Sequence, residues 1–272
     1  MNSMYKKTLG LILFSLFTLS CIQMNAVTPI NPAKVYYNAF SHNDIQRTKP
    51  LTEAITLGFN CVEADLWLID GELYVSHDKP QISPEITFEN LYIRPLVERI
   101  RANGGKIYSK SKKPFYLMID CKSNGEEMLP VLKNKLKPYK SLFCTVENGK
   151  MKKSAILLFL SGDRPLSVLA QGEGYVFLDG QIKDLGQHIS SDMMPVISDN
   201  YTDCLSWKGN GPIPADQLQK MRDIIKRTHA EGKLFRWWGA PDTPQFKRFF
   251  IKENVDLIGA DNLKALYDIL NK

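Results

Sequence analysis

Short apolar runs alternate with longer amphipathic segments along most of the chain. Eight runs follow one another, and each is almost continuously apolar rather than alternating between apolar and polar residues. Strands of a parallel sheet that are buried on both faces have this character. The runs are VYYNAF from Val35, CVEADLWL from Cys61, PFYLMID from Pro114, AILLFL from Ala155, YVFLDG from Tyr175, PVIS from Pro195, KLFRWW from Lys233 and VDLIGA from Val255.

Segments with helical periodicity lie between these runs and carry start and stop signals. Leu51, Ala54 and Ile55 form an apolar stripe after Thr48, and Gly58 ends it. Three further stripes are predicted as helices: Leu218 to Thr228 before Gly232, Phe246 to Phe250 after Thr243-Pro244, and Leu263 to Leu270 after a capping Asn262.

Eight strands with intervening helices in about 250 residues predict a (β/α)₈ TIM barrel. A doubly wound open sheet is the alternative, but no GxGxxG follows the first run. Two additions to a plain barrel are expected: a short strand in ELYVSHD from Glu72, and a hairpin with its turn at Asn148-Gly149. No repeat or low-complexity linker divides the chain, so residues 27–272 are predicted to form one domain.

The amino-terminal segment MNSMYKKTLGLILFSLFTLSC has the pattern of a signal peptide. Its apolar run, Leu9 to Leu19, is too short for an ordinary transmembrane helix. TLSC ending at Cys21 resembles a bacterial lipobox, whereas MNA ending at Ala26 is a weaker cleavage site. We therefore expect residues 1–26 to be a leader, with lipidation of Cys21. The protein would be exported to the periplasm, outer membrane or cell surface and attached to a membrane by that lipid.

Composition narrows the function only slightly. Hydrophobic residues make up 44% of the chain and charged residues 24%, as in an ordinary globular protein. Without Lys6 and Lys7 of the leader, 33 basic residues face 29 acidic ones, which is too weak and dispersed a charge for nucleic-acid binding. The later cysteines form no CxxC pair, and we expect Cys61 and Cys121 to be buried free thiols. A monomer is expected.

Polar residues gather at the predicted carboxyl ends of the strands, where TIM barrels place their catalytic groups. Glu63 and Asp65 stand two residues apart and point to the same side of their strand. Hard divalent cations take such oxygen ligands, and a charge inside a barrel needs a partner or a metal. The other strand ends carry His42-Asn43-Asp44, His77-Asp78, Asp120 with Lys122, and Arg236 with Trp238.

These motifs together resemble the PLC-like phosphodiesterases, which include glycerophosphodiester phosphodiesterases and spider-venom sphingomyelinase D enzymes. Within that superfamily the chain is similar to the altered-inheritance-of-mitochondria protein 6 type. Proteins of that type carry the pattern HNDY…RPL…VE.D, followed by HD and LYLRPL. The corresponding segments of this chain are HNDIQRTKPLTEAITLGFNCVEAD and LYIRPL. The resemblance is strong from His42 to Lys122. Beyond Lys122 it depends on strand spacing and on a few residues such as Trp238 and Asn262.

The resemblance implies roles for single residues. Glu63, Asp65 and Asp120 would hold one divalent cation, Mg²⁺ or Ca²⁺, and Lys122 would contact the phosphate. The general base and acid would be His42 and His77. Asn43, Arg236, Trp238 and Asn262 complete the predicted substrate-binding set.

Two departures leave the substrate open between glycerophosphodiesters and (lyso)phospholipids. Glycerophosphodiesterases usually have His-Arg where this chain has His42-Asn43. They also usually carry Glu-x-Lys where it has Asp120 and Lys122. The resemblance further implies attack by a substrate hydroxyl, which would form a cyclic phosphate.

Other functions are weighed against this prediction of a metal-dependent phosphoric diester hydrolase. An amidohydrolase usually needs several histidine ligands, and the chain has four histidines and no His-x-His. A metal-free phosphatidylinositol-specific phospholipase C would gain nothing from three clustered carboxylates. A non-catalytic surface lipoprotein that binds phospholipid or glycan stays open as the alternative.

Overall fold

The computed structural model describes residues 31–172 and 174–272. Its strands are β1 (Tyr36–Ser41), β2 (Phe59–Ile69), β3 (Glu72–Val75), β4 (Phe115–Cys121), β5 (Thr145–Glu147), β6 (Lys150–Lys152), β7 (Ile156–Gly162), β8 (Phe177–Gly180), β9 (Val196–Asn200), β10 (Leu234–Trp238) and β11 (Ile258–Ala260). Its α-helices are α1 (Thr52–Thr56), α2 (Arg94–Ala102), α3 (Gly125–Leu136), α4 (Ser167–Ala170), α5 (Tyr201–Cys204), α6 (Ala215–Ala230), α7 (Pro244–Lys252) and α8 (Leu263–Leu270).

Eight strands form a nearly closed parallel barrel in the order β10-β9-β8-β7-β4-β2-β1-β11. The barrel closes where Arg236 bridges to Leu257 and the amides of Asp256 and Leu257 donate to the carbonyl of Phe235. All eight apolar runs of the sequence are barrel strands, so the predicted TIM barrel is confirmed. The two predicted additions are also present, because β3 pairs antiparallel with β2 and β5 pairs with β6 across Asn148-Gly149.

Alternate residues of each strand point into the barrel, and their chemistry changes along the strands. Towards the amino-terminal ends the inward residues are apolar: Cys61 on β2, Met118 on β4, Phe159 on β7 and Phe177 on β8. Two residues further along the same strands, the inward positions are polar: Glu63, Asp120, Ser161 and Asp179. A second apolar cluster packs the outer barrel faces against the helices. The polar layer therefore lies at the carboxyl end of the barrel.

The predicted signals at the start of α7 and the end of α1 act as expected, whereas α1 begins after Leu51 without a side-chain cap, so Thr48 does not cap it. Thr243 caps α7 by accepting a hydrogen bond from the Phe246 amide, at 3.3 Å. Chain reversal after α1 requires Gly58, because its φ is +82° and an added Cβ would overlap the carbonyl oxygen of Lys34.

The predicted leader and Cys21 lie outside the described residues. Within the described part of the chain, no helix is long and apolar enough to cross a bilayer. Cys61 and Cys121 are buried free thiols, as predicted, and Cys144 is a third.

Candidate active site

A cavity of about 360 Å³ opens at the carboxyl ends of the barrel strands. Eight of the predicted site residues line it: His42, Asn43, Glu63, His77, Asp120, Lys122, Arg236 and Trp238. Asp65 is buried beside Glu63, with an exposed fraction of 1%. Asn262 does not line this cavity, because its side chain caps α8 by accepting from the Ala265 amide at 3.0 Å. Trp238 stands at the rim, where 43% of its surface is exposed.

Three carboxylates form the acidic centre of the site. Glu63, Asp65 and Asp120 each offer an oxygen within 4.8 Å of the others. β2 and β4 bring them together, because Asp65 and Asp120 face each other across the parallel ladder. Both Asp65 oxygens are buried without a hydrogen-bond partner. Burial, followed by the charge of Glu63, raises the pKa of Asp65 to about 7.

Lys122 supplies the positive charge at this centre. Its Nζ lies 2.6 Å from Asp120 Oδ2 and 3.6 Å from Asp65 Oδ1. Burial acts to lower the pKa of Lys122, but the hydrogen bond to Asp120 and the neighbouring carboxylates outweigh it and raise the pKa. The ammonium group therefore stays protonated beside the cavity.

His42 is oriented by a carboxylate that was not predicted. Its Nδ1 lies 2.8 Å from Asp261 Oδ1, on the loop after β11. A carboxylate can only accept, so we assign the ring proton to Nδ1. Nε2 then keeps its lone pair, 3.8 Å from Glu63 Oε2. This is the tautomer that a general base needs.

Buried polar contacts fix the loop between β1 and α1 that carries His42. Asp44, predicted beside the site, does not line the cavity; it accepts hydrogen bonds from Ser41 Oγ at 2.6 Å and Tyr92 Oη at 2.9 Å. It also accepts from the amide of Leu51, whose φ of +60° is rare for a residue with a branched side chain. Arg47 donates to the carbonyls of His42 and Asp261 and so joins the two loops.

His77 reaches the cavity through the β2–β3 hairpin. Ser76, just before it, donates its amide to the Asp65 carbonyl at 3.0 Å and accepts from Trp67 Nε1 at 3.1 Å. His77 Nδ1 lies 3.4 Å from Asp78 Oδ1, and the ring is half-exposed at the mouth. The two histidines thus approach the cavity on loops from different strands.

The opposite wall contains residues that sequence reasoning missed. Asp179 is buried, and its Oδ2 accepts hydrogen bonds from the hydroxyls of Ser161, at 2.9 Å, and Ser198. Burial raises the pKa of Asp179 to about 6, although the Ser198 hydrogen bond and the charge of Arg236 act to lower it. Arg164 donates to the Asp179 carbonyl at 2.6 Å. Counting every second residue from the apolar interior would have found Ser161, Asp179 and Ser198.

Arg236 joins the two walls of the cavity. It is 3% exposed, and its guanidinium lies 4.2 Å from the centre of the Phe40 ring. Its Nη2 is 3.9 Å from Glu63 Oε2, and its buried Nε has no hydrogen-bond partner. Arg236 therefore places a fixed positive charge in the wall of the cavity.

A family model for the AIM6-like phosphodiesterase domain matches residues 27–179, more than half of the chain. The chain belongs to this family. The AIM6-like match includes the acidic centre, Lys122 and both histidines, and it ends before Ser198, Arg236 and Asp261. The resemblance read from His42 to Lys122 is thereby confirmed.

Curated relatives of this AIM6-like chain are fungal. Altered inheritance of mitochondria protein 6 homolog of Arthroderma benhamiae is 28% identical, over 83% of this chain and 81% of that protein. Altered inheritance of mitochondria protein 6 of Kluyveromyces lactis is 27% identical, over 84% of this chain and 71% of that protein. Among solved structures, glycerophosphodiester phosphodiesterase from Agrobacterium tumefaciens is 14% identical, with a TM-score of 0.47, over 87% of this chain and 100% of that one.

The predicted location is wrong. The AIM6-like relatives are fungal proteins named for the inheritance of mitochondria, which contradicts export to a bacterial periplasm, outer membrane or cell surface. The prediction rested on the apolar run before Cys21, which gives no information about the organism or membrane system.

Proposed function

We propose that this AIM6-like domain is a metal-dependent phosphodiester hydrolase that acts on glycerophosphodiesters or (lyso)phospholipids. The observation that carries the proposal is the buried Asp65 carboxylate, whose two oxygens accept no hydrogen bond and lie beside Glu63 and Asp120. Three carboxylates at such close range repel one another, and the single positive charge of Lys122 offsets only part of their combined charge. Their arrangement is costly in a purely structural role and useful in a metal-binding one.

The residues fit a divalent cation. Glu63, Asp65 and Asp120 would hold it, because hard cations such as Mg²⁺ and Ca²⁺ take carboxylate oxygens. When bound, such a cation supplies Lewis-acid stabilisation of negative charge on phosphoryl oxygens. Lys122 and Arg236 add fixed positive charge around the same space, which favours an anionic phosphodiester over a neutral substrate.

The two histidines divide the proton transfers. Nε2 of His42 takes the proton of the attacking hydroxyl, while Asp261 holds the ring and stabilises the resulting imidazolium. The bond between phosphorus and the leaving oxygen breaks, and protonated His77 gives that oxygen its proton. Attack by a neighbouring hydroxyl of the substrate would give a cyclic phosphate, and attack by water would give the phosphomonoester.

The size of the cavity limits what it can enclose. About 360 Å³ accommodates a phosphodiester with a small alcohol on each side, as in a glycerophosphodiester. A lipid substrate would place its head group inside and its chain past exposed Trp238. Both proposed substrate classes are therefore compatible with one binding mode.

The test is phosphorus NMR of the purified protein with glycerophosphodiesters and lysophospholipids, in Mg²⁺, in Ca²⁺ and in chelator. We expect metal-dependent loss of the diester signal. His42→Asn and His77→Asn should each lower turnover about 10²–10⁴-fold. His188→Asn is the matched control, because His188 lies outside the cavity at φ +58°, which asparagine tolerates.

Two outcomes would contradict the hydrolase. Wild-type turnover in either active-site variant would show that the substituted histidine takes no part in the reaction and would contradict the proposed pair. No cleavage of any diester by folded protein that binds the metal would instead favour the non-catalytic phospholipid- or glycan-binding function.

A further inference from the structure

A second cavity, of about 240 Å³, lies at the other end of the barrel from the candidate active site. It is formed where strands begin: Asn60 is near the start of β2, Phe115 opens β4, and Ala155 precedes β7. The loop from Gly105 to Pro114 completes its wall. Since TIM-barrel chemistry takes place at the carboxyl ends of the strands, this cavity is separate from the proposed catalytic function.

Among the described residues, four lysines line this cavity at the amino-terminal ends of the strands, and no carboxylate does. Three come from the loop and one from the segment between β6 and β7: Lys106, Lys112, Lys113 and Lys153. The described lysines that form salt bridges are others, namely Lys122, Lys135, Lys233, Lys247 and Lys264. Ammonium groups without carboxylate partners around a small space create a positive potential that attracts an anion.

Asn60 provides a second, independent observation. Its side chain is 1% exposed, and its Nδ2 donates to the carbonyl of Pro114 at 2.8 Å. Its Oδ1 is buried and has no hydrogen-bond partner. A buried acceptor without a donor is unfavourable, and a ligand with a hydroxyl group would supply that donor.

A neighbouring cavity helps to decide the position of the anion. Asn60 and Lys113 also line this space of about 270 Å³, but Asp256 lines it too. The Asp256 carboxylate would repel an anion there. The lysine-lined side of Asn60 is therefore the favourable one.

We propose that the amino-terminal cavity binds a phosphorylated polyol. Lys112 and Lys153 hold the phosphate, and a hydroxyl of the ligand donates to Asn60 Oδ1, while Lys113 Nζ lies 5.1 Å from the centre of the Tyr37 ring and adds positive charge nearby. The volume suits a phosphate with one small polyol and has no room for lipid chains. The ligand is accordingly a free polyol phosphate or the head group of a lipid whose chains stay outside.

Isothermal titration of the whole protein in chelator tests this site, with myo-inositol 1-phosphate and inorganic phosphate as probes. The double variant Lys112→Gln with Lys153→Gln should bind myo-inositol 1-phosphate about ten-fold or more weakly. Lys110→Gln with Lys150→Gln is the matched control. It removes the same charge from the same loop and from β6, the strand just before Lys153, but neither lysine lines the cavity, so affinity should stay within about two-fold of wild type.

Each remaining result is decisive. If both double variants bind myo-inositol 1-phosphate equally weakly, the binding depends only on general surface charge, and the proposed site is overturned. Weakening by Lys122→Gln instead would place the probe at the catalytic end. Inorganic phosphate that binds as tightly as myo-inositol 1-phosphate would overturn the role of Asn60.

The source of the ligand is tested with vesicles of phosphatidylcholine, with and without phosphatidylinositol 4-phosphate. Binding that requires the inositol lipid and is lost in Lys112→Gln with Lys153→Gln would identify a lipid head group. Binding of free myo-inositol 1-phosphate alone would identify the soluble form. No binding of either probe would overturn the inference.

Discussion

The buried carboxylate of Asp65 favours the proposed metal binding but destabilises the folded protein when no metal is bound. Its buried carboxylate has no hydrogen-bond donor, and its pKa in the metal-free protein is about 7, against an ordinary value of 3.8. A carboxyl group whose folded pKa is raised favours the folded state at low pH. That stability is fully present below about pH 4 and is lost as the pH rises through about 7.

Asp65→Asn should therefore stabilise the metal-free protein near pH 8, by roughly up to 4 kcal/mol on the unfolding free energy. The gain should shrink towards pH 5, where Asp65 is largely protonated in the folded state. Thermal unfolding in chelator at the two pH values measures the difference. Asp203→Asn, on the exposed surface of α5, is the control and its unfolding free energy should change little.

The same Asp65→Asn variant should also lose metal-induced stabilisation. Stabilisation equal to that of the wild type would remove Asp65 from the ligand set.

Asp261 contacts His42 and does not line the candidate active-site cavity, so we expect it to act through the His42 ring. Asn43 Nδ2 lies 3.2 Å from the same His42 Nδ1, so after Asp261→Ala the amide would donate to that nitrogen and move the ring proton to Nε2. We expect turnover to fall about 10²-fold with little change in KM or metal affinity.

A second substitution that restores activity would distinguish loss of His42 orientation from loss of folded structure. Adding Asn43→Asp to Asp261→Ala returns a carboxylate beside Nδ1, and part of the lost turnover should return in steady-state kinetics. A purely structural role for Asp261 would leave the double variant no better than the single one.

At the scale of elements, the end of β7 restricts the position of Asp120, the residue that the neighbouring strand β4 contributes to the acidic centre. Gly162 has φ +69°, and an added Cβ would overlap Asp120 Oδ1 and the backbone of Cys121. Gly162→Ala should therefore displace Asp120 and weaken metal binding about ten-fold or more, measured by calorimetric titration with Mg²⁺ and Ca²⁺.

Gly149→Ala is the control that distinguishes the effect of backbone strain from an effect on the candidate metal site. Gly149 lies in the β5–β6 turn at φ +71°, with open space around its missing Cβ. It should cost about 1–2 kcal/mol of stability and leave metal affinity unchanged. Similar metal affinities in the two variants would mean that Gly162 does not position Asp120.

The sequence predicted the strands and the first half of the site well, for a physical reason. Buried parallel strands are continuous apolar runs, so a carboxylate such as Glu63 within one of them is conspicuous. Asp179 and Ser198 lie at the ends of shorter runs, where a polar residue stands out less, although alternation along the strand places both inside the barrel. Asp261 could not be linked to His42, since that contact depends on β1 and β11 being neighbours in the closed barrel.

For the whole molecule, the barrel is least continuous where it closes. β4 and β7 pair from Phe115↔Ile156 to Cys121↔Gly162, whereas β10 is joined to the segment before β11 by a single bridge, Arg236↔Leu257. Local opening follows the least paired elements, so the amides of Asp256 and Leu257 should exchange faster than those of β4. Hydrogen exchange with mass spectrometry compares the two segments. Equal protection would mean that the closing seam is as stable as the rest of the ladder.

The contact between His42 and Asp261 also has a consequence for how the protein is made. The three carboxylates, Lys122 and both histidines are all synthesised by the time residue 122 leaves the ribosome. The group that sets the His42 proton belongs to the loop after β11, which is translated long afterwards. A nascent chain therefore contains the proposed metal ligands early, but the proposed base His42 meets the carboxylate that sets its ring proton only when the last barrel strand docks beside the first.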